Sequence, residues 1–135
     1  MGKSLTELAS YFLPLAQKLI DQANTAGLDV IIVDTGRTAA EQIQKLANGV
    51  SWTTHSKHEP QPPEGLSEAI DLAPRACILL KNWGPGDPRW RQLGEIGKSL
   101  GLLWGGDWTH INNGYGDQSH FEYIHPESGD TQEEA

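Results

Sequence analysis

In the segment SEAIDL, residues Ser67–Leu72, the small or acidic residues Ser67, Ala69 and Asp71 alternate with positions that include the larger apolar residues Ile70 and Leu72. Because successive side chains of a β-strand point to opposite faces, the pattern predicts a strand with Asp71 on one face and Ile70 and Leu72 on the other. One face of this strand is suited to a hydrophobic core. The other face carries a carboxylate among small residues, which favours a polar cleft.

The segments around this strand complete an α+β pattern. Residues 120–124 alternate in the same way, so that His120 and Glu122 share a face, and the β-branched run over 28–34 predicts a mostly buried strand. Apolar residues at steps of three and four predict helices over 5–26, 38–48 and 90–100. We therefore expect a small antiparallel sheet with helices packed on one face and a site on the other.

The composition is that of one acidic domain. The 135 residues include 10 Lys and Arg against 18 Asp and Glu, a net charge of −8. We expect a single domain over residues 1–125 and a flexible acidic tail over 126–135. The negative charge disfavours nucleic acid and anionic membrane surfaces as partners. Neither a signal peptide nor a membrane-spanning run is recognisable, so synthesis in the cytoplasm is expected.

Three residues could form a zinc site. His58 lies in a proline-rich loop, and Asp71 and His120 lie on predicted strand faces, which offers the three N/O ligands of a zinc hydrolase. A metal site built from several cysteine ligands is excluded, because the chain has a single Cys. Asp117, three residues before His120, could act as a base on metal-activated water. Spacing alone leaves His55 as an alternative ligand and leaves purely structural roles open for all of these residues.

Several segments together resemble a family of zinc peptidases, the D-alanyl-D-alanine carboxypeptidases and L-alanyl-D-glutamate endopeptidases. SKH at 56–58, SEAID at 67–71 and DQSHFE at 117–122 resemble its Ser-x-His, Ala-x-Asp and Asp-x-x-His-Phe/Trp-Glu elements. TGRTAAEQ at 35–42 is similar to its Gly-x-Arg-Ser/Thr-x-x-Glu-Gln segment. GLLWGGDW at 101–108 is similar to a segment of its endopeptidase branch, notably in phage endolysins.

The spacing between two of these elements departs from the family pattern. Twelve residues separate His58 from Asp71, whereas six are typical, so residues 59–64 look like an insertion. A proline-rich loop can absorb such an insertion, because loop-closure entropy grows slowly with length.

The resemblance implies a role for each matching residue. Zinc would be bound by His58, Asp71 and His120, and the Ser-x-His context favours His58 over His55. Asp117 would be the general base, and Arg37 would stabilise charge on the substrate carbonyl. A structural ion pair of Arg37 with Asp34 or Glu41 is the alternative.

The remaining matched residues would support ligands or substrate. Ser56 and Glu122 are better suited to orienting them than to catalysis. Trp104 and Trp108 flank Gly105 and Gly106, and could either line the substrate cleft or fill the core.

The resemblance also implies a function, a zinc-dependent endolysin-like peptidase that cleaves a stem peptide of bacterial peptidoglycan. L-alanyl-D-glutamate is the favoured bond and D-alanyl-D-alanine the second. A non-catalytic zinc-containing wall-binding domain and a glycosidase with two carboxylates are the alternatives. We expect a monomer that accumulates in the host cytoplasm and reaches the periplasm or cell wall after a holin-type protein permeabilises the membrane.

Overall fold

The computed structural model describes residues 3–36, 57–61, 64–84, 86–109, 114 and 116–125. Several sequence predictions lie outside the described residues: the helix over 38–48, the acidic tail over 126–135, and the side chains of Arg37, His55 and Ser56.

In the part of the chain that the structure describes, the sheet has four antiparallel strands in the order β1-β2-β4-β3. The strands are β1 (Val30–Asp34), β2 (Ala69–Pro74), β3 (Leu103–Trp104) and β4 (His120–Glu122). The order places the predicted strands β2 and β4 side by side at the centre. The α+β fold class and the antiparallel sheet expected from the sequence are confirmed.

Within the described residues, three α-helices accompany the sheet: α1 (Leu13–Thr25), α2 (Arg75–Leu79) and α3 (Pro88–Ser99). The prediction of one helix over 5–26 was wrong in its first part, because Leu5–Glu7 is an isolated 3-10 turn and α1 begins only at Leu13. Pro14 occupies the first turn of α1. A proline there has no N–H and its ring clashes with the carbonyl four residues earlier, so the helix cannot continue towards the N-terminus.

Helices α1 and α3 cover one face of the sheet. The main core joins apolar residues of both helices to Ile70, Leu72 and Phe121 of the two central strands. Two glycines let α3 approach closely: a Cβ at Gly94 would lie 2.3 Å from the Trp104 ring, and one at Gly97 would lie 2.4 Å from the Phe121 ring. The close packing holds β4, and therefore His120, against a rigid support.

The opposite face is partly covered by a smaller apolar cluster of Ala73, Cys77 and Trp90 with Ile31 and Val33. The rest of this face carries the polar side chains of β2 and β4. None of the helices in the described ranges has the length and apolar character needed to cross a bilayer.

Candidate metal centre

Asp71 and His120 meet because their strands are paired in register. Asp71 of β2 lies directly opposite His120 of β4, so both side chains project from the same face of the sheet. His58 reaches them from the segment 57–61. Its Nε2 atom lies 3.1 Å from Asp71 Oδ1, and His120 Nδ1 lies 3.2 Å from the same oxygen. One ligand atom from each residue can be chosen so that all three lie within 4.8 Å of one another.

The outward nitrogen of each histidine has its own acceptor. His58 Nδ1 lies 2.7 Å from the carbonyl oxygen of Thr35, and His120 Nε2 lies 2.8 Å from Glu122 Oε1. An acceptor at this position holds the proton on the outward nitrogen and turns the other nitrogen inward. This is the arrangement in which proteins present histidine to a metal ion.

The donor set fits a tetrahedral divalent ion. With bonds of about 2.0–2.1 Å, zinc places its ligand atoms roughly 3.3 Å apart, close to the 3.1 and 3.2 Å that separate the ring nitrogens from Asp71 Oδ1. Two imidazole nitrogens and one carboxylate oxygen leave a fourth position for water or substrate. Both rings are almost fully buried, with His58 1% and His120 3% exposed.

The centre favours positive charge between its side chains. Burial opposes ionisation of Asp71, but the charges and hydrogen bonds of His58 and His120 outweigh it and hold the pKa of Asp71 well below its usual value. Burial also opposes protonation of His120, but its bonds to Asp71 and Glu122 raise the pKa of His120 to about 10. The lowered pKa of Asp71 and the raised pKa of His120 both show that this position favours a positive charge.

Asp117 stands beside this centre in the loop before β4. Burial, and then the negative charge of Asp71, raise the pKa of Asp117. The loop is fixed by close backbone packing: Asp117 N–H donates to the Gly105 carbonyl at 2.8 Å, and a Cβ at Gly116 would lie 2.2 Å from the same oxygen. Asp117 is thus a carboxyl group suited to taking up a proton next to a candidate metal ion.

The two tryptophans differ in position. The Trp108 ring lies 5.1 Å, between centroids, from the His120 ring and adjoins the centre. Trp104 instead lies in the main core, and its Nε1–H donates to the Gln118 carbonyl at 2.8 Å. The structure thus brings Trp108 to the centre and leaves Trp104 beneath the loop that carries Asp117.

Sequence reasoning did not single out the residues that support His58. The Thr35 carbonyl is its acceptor, and Ser67 Oγ also donates to that carbonyl at 3.0 Å. Any residue type provides a backbone carbonyl, so no sequence signal could have revealed this contact.

Three comparisons relate the chain to known proteins. The model of a family described as D-alanyl-D-alanine carboxypeptidase matches residues 55–123, slightly more than half of the chain. The L-alanyl-D-glutamate peptidase of Listeria phage A118 is 29% identical over 121 residues, which are 89% of this chain and 39% of that protein. The chain therefore spans about two fifths of the length of this curated relative.

Solved structures share the fold. The L-Ala D-Glu endopeptidase ChiX of Serratia marcescens superposes with a TM-score of 0.59 and 17% identity, over 89% of this chain and 83% of its own. VanYB in complex with D-alanine-D-alanine superposes with a TM-score of 0.53 and 19% identity, over 87% and 72%. VanY D,D-pentapeptidase in complex with Zn(II) gives a TM-score of 0.51 at 20% identity, over 87% and 73%. With the family model matching more than half of its residues, the chain belongs to the D-alanyl-D-alanine carboxypeptidase family, peptidase family M15.

Proposed function

We propose that this protein is a zinc-dependent peptidase that hydrolyses a stem-peptide bond of bacterial peptidoglycan, with L-alanyl-D-glutamate as the favoured bond. The observation that carries the proposal is the convergence of His58, Asp71 and His120, whose potential ligand atoms lie within 4.8 Å of one another. Membership in a peptidase family supports hydrolysis of a peptide bond as the reaction.

In this proposal His58, Asp71 and His120 hold the zinc ion. Zinc, when bound, polarises the scissile carbonyl and acidifies water. Glu122 keeps the His120 ring oriented through its contact with Nε2, and the Thr35 carbonyl does the same for His58.

Asp117 transfers the proton as the general base. It accepts a proton from the attacking water and returns it to the leaving amine, so its carboxyl group must alternate between charged and neutral forms. Its burial and the nearby Asp71 charge help it to take up the proton, because both raise the pKa of Asp117 and so favour the neutral form. We assign to Arg37 the stabilisation of charge on the substrate carbonyl, and to Ser56 a supporting contact.

The choice of bond follows the relatives. The Listeria phage protein and the Serratia enzyme are both described as acting on L-alanyl-D-glutamate, and the segment 101–108 resembles the endopeptidase branch. The family description and the D-alanine-D-alanine complex keep D-alanyl-D-alanine as the second candidate. Trp108, beside His120, would line the substrate cleft.

The phage relative suggests a setting in host lysis. We propose that a monomer accumulates in the host cytoplasm and reaches the wall once a holin-type protein has permeabilised the membrane. Residues 1–125 would form the catalytic domain, and 126–135 a flexible tail.

Digestion of purified peptidoglycan tests the proposal. We expect new amino groups, no new reducing sugar ends, and fragments whose termini, assigned by mass spectrometry, show cleavage between L-alanine and D-glutamate. A chelator should abolish the cleavage, and added zinc should restore it.

Other outcomes would replace the proposal with a specific alternative. Loss of terminal D-alanine would identify a carboxypeptidase. New reducing ends that form in the presence of chelator would indicate a glycosidase. Tight wall binding with intact muropeptides would indicate a non-catalytic wall-binding domain.

A further inference from the structure

The outward nitrogen of His58, Nδ1, lies 2.7 Å from the Thr35 carbonyl oxygen. Thr35 follows the last paired residue of β1, so the sheet itself does not hold its carbonyl. The orientation of His58 therefore depends on whatever else fixes Thr35. Thr35 is fully buried, which keeps water from substituting as an acceptor.

Glu7 fixes this part of the chain. Its Oε1 atom accepts a hydrogen bond from the Thr35 hydroxyl and another, at 3.0 Å, from Gly36 N–H. The absence of a side chain at Gly36 permits the approach, because a Cβ there would lie 3.1 Å from the same oxygen. One carboxylate oxygen thus clamps two consecutive residues immediately beyond β1.

The backbone around Glu7 also holds the second support of the Thr35 carbonyl. Ser67 N–H donates to the Glu7 carbonyl at 2.9 Å, and Ala9 N–H donates to the Ser67 carbonyl at 2.8 Å. Ser67 Oγ in turn donates to the Thr35 carbonyl at 3.0 Å. The His58 ring and the Ser67 hydroxyl both contact the Thr35 carbonyl. The segment 4–9 therefore fixes the positions of this carbonyl and of Ser67.

We propose that Glu7 is a positioning residue for metal binding: it clamps Thr35 so that the Thr35 carbonyl holds the His58 ring with Nε2 directed at the metal position. This inference rests on the proposed zinc function. Glu7 contacts neither Asp71 nor His120 in any hydrogen bond or ion pair found among the described residues. Its effect is expected to reach the centre through His58.

Zinc affinity measured by chelator competition tests the proposal. Groups that orient metal-bound histidines typically contribute 10–100-fold to affinity, so we expect Glu7→Ala to weaken zinc binding about tenfold. Glu7→Gln retains an Oε1 acceptor and should stay within about twofold of the wild type. Glu95→Ala is the matched control, because it removes an exposed carboxylate from α3 and should leave zinc affinity unchanged.

A second readout separates positioning from general stability. In the NMR spectrum of metal-free protein labelled with ¹⁵N-histidine, the buried Nδ1–H of His58 should give a slowly exchanging signal in the wild type and in Glu7→Gln. This signal should be absent in Glu7→Ala. Unchanged zinc affinity and an unchanged His58 signal in a folded Glu7→Ala protein would overturn the proposal, even if its thermal stability fell.

If Glu7→Ala does not fold, Thr35→Val carries the test, since it removes the hydroxyl that donates to Glu7 and accepts from Ser4 N–H at 3.2 Å, and leaves the Thr35 carbonyl in place. Weaker zinc binding by Thr35→Val supports the clamp, and wild-type affinity overturns it. A wild-type protein that binds no zinc would instead contradict the proposed function. The His58 signal would then still decide whether Glu7 positions the ring.

Discussion

His120 is held between two carboxylates, and this decides how the centre behaves without metal. Asp71 contacts one ring nitrogen at 3.2 Å and Glu122 contacts the other at 2.8 Å. Burial by itself would lower the pKa of His120, but these contacts raise it to about 10. The folded metal-free protein therefore keeps His120 protonated at neutral pH, whereas a zinc ligand must be neutral.

Zinc binding at pH 7 should consequently release about one proton per site. Titration calorimetry in buffers of different ionisation enthalpy measures that number. The sign follows from the raised pKa: the proton is held below about pH 10 and displaced by the metal, so release should decline as the pH approaches 10. Zinc binding without proton release at pH 7 would show that His120 is already neutral or is not a ligand.

Asp117→Asn should retain zinc and fold but lose turnover by about 10²–10⁴-fold, the range typical of a removed general base. The substitution conserves shape and removes the group that exchanges the proton. Turnover on peptidoglycan and zinc stoichiometry should be measured on the same preparation, with Asp107→Asn, at a partly exposed surface position, as the control. Wild-type turnover by Asp117→Asn would exclude Asp117 as the base.

Among the elements, helix α3 determines how firmly β4 is supported. Gly94 and Gly97 bring the helix against Trp104 and Phe121, and Phe121 is the neighbour of His120 in β4. Asp87 caps the start of the helix, because its side chain accepts from Arg89 N–H at 2.9 Å, and Pro88 lies in the first turn. This start suits Pro, because the first N–H groups of a helix have no partner within it.

Gly97→Ala should destabilise the protein by about 1–3 kcal/mol, the usual cost of overpacking a core. Helix propensity alone predicts the opposite sign, a gain of about 1 kcal/mol. The clash outweighs it, because the new Cβ would lie 2.4 Å from the Phe121 ring. Urea unfolding measures the change, with Gln92→Ala on the exposed side of α3 as the control. A stabilised Gly97→Ala protein would mean that α3 can move away from β4 at little cost.

For the whole molecule, the centre joins parts of the chain that are distant in sequence. His58 comes from a loop segment, Asp71 from β2 and His120 from β4. The segment 4–9 bonds to Ser67, just before β2, through its backbone. A ligand bound at this junction favours the folded state in proportion to its concentration, because the unfolded chain does not hold the three groups together.

Zinc should therefore raise the melting temperature. At a free concentration of about 1,000 times Kd it adds about 4 kcal/mol to the free energy of unfolding. For a chain of this size that is a shift of roughly 15 °C. Thermal unfolding with and without zinc measures it, and His58→Ala should greatly reduce the shift. An equal shift in His58→Ala would place the ion elsewhere.

Much of the sheet could be predicted from the sequence, because side-chain alternation is a local property of strand geometry. It identified the faces of residues 69–72 and 120–122 and so put Asp71 and His120 on polar faces, although β2 begins at Ala69 rather than at Ser67. Apolar spacing was less reliable at the first helix, where the effect of Pro14 on backbone geometry outweighed a continuous apolar pattern. The short helix α2 could not be predicted from apolar spacing, because its five residues are too few to show the repeat of a helix.

By itself, the sequence determined the fold class, the polar faces and the residue types able to bind a metal, all of which follow from local patterns and composition. Only the tertiary structure decided that β2 and β4 are neighbours in a register that pairs Asp71 with His120. It also decided that Trp108 rather than Trp104 adjoins the centre, and that Glu7 and Thr35 support His58. These contacts depend on strand register, packing and backbone carbonyls, and residues far apart in the chain make them only once it is folded.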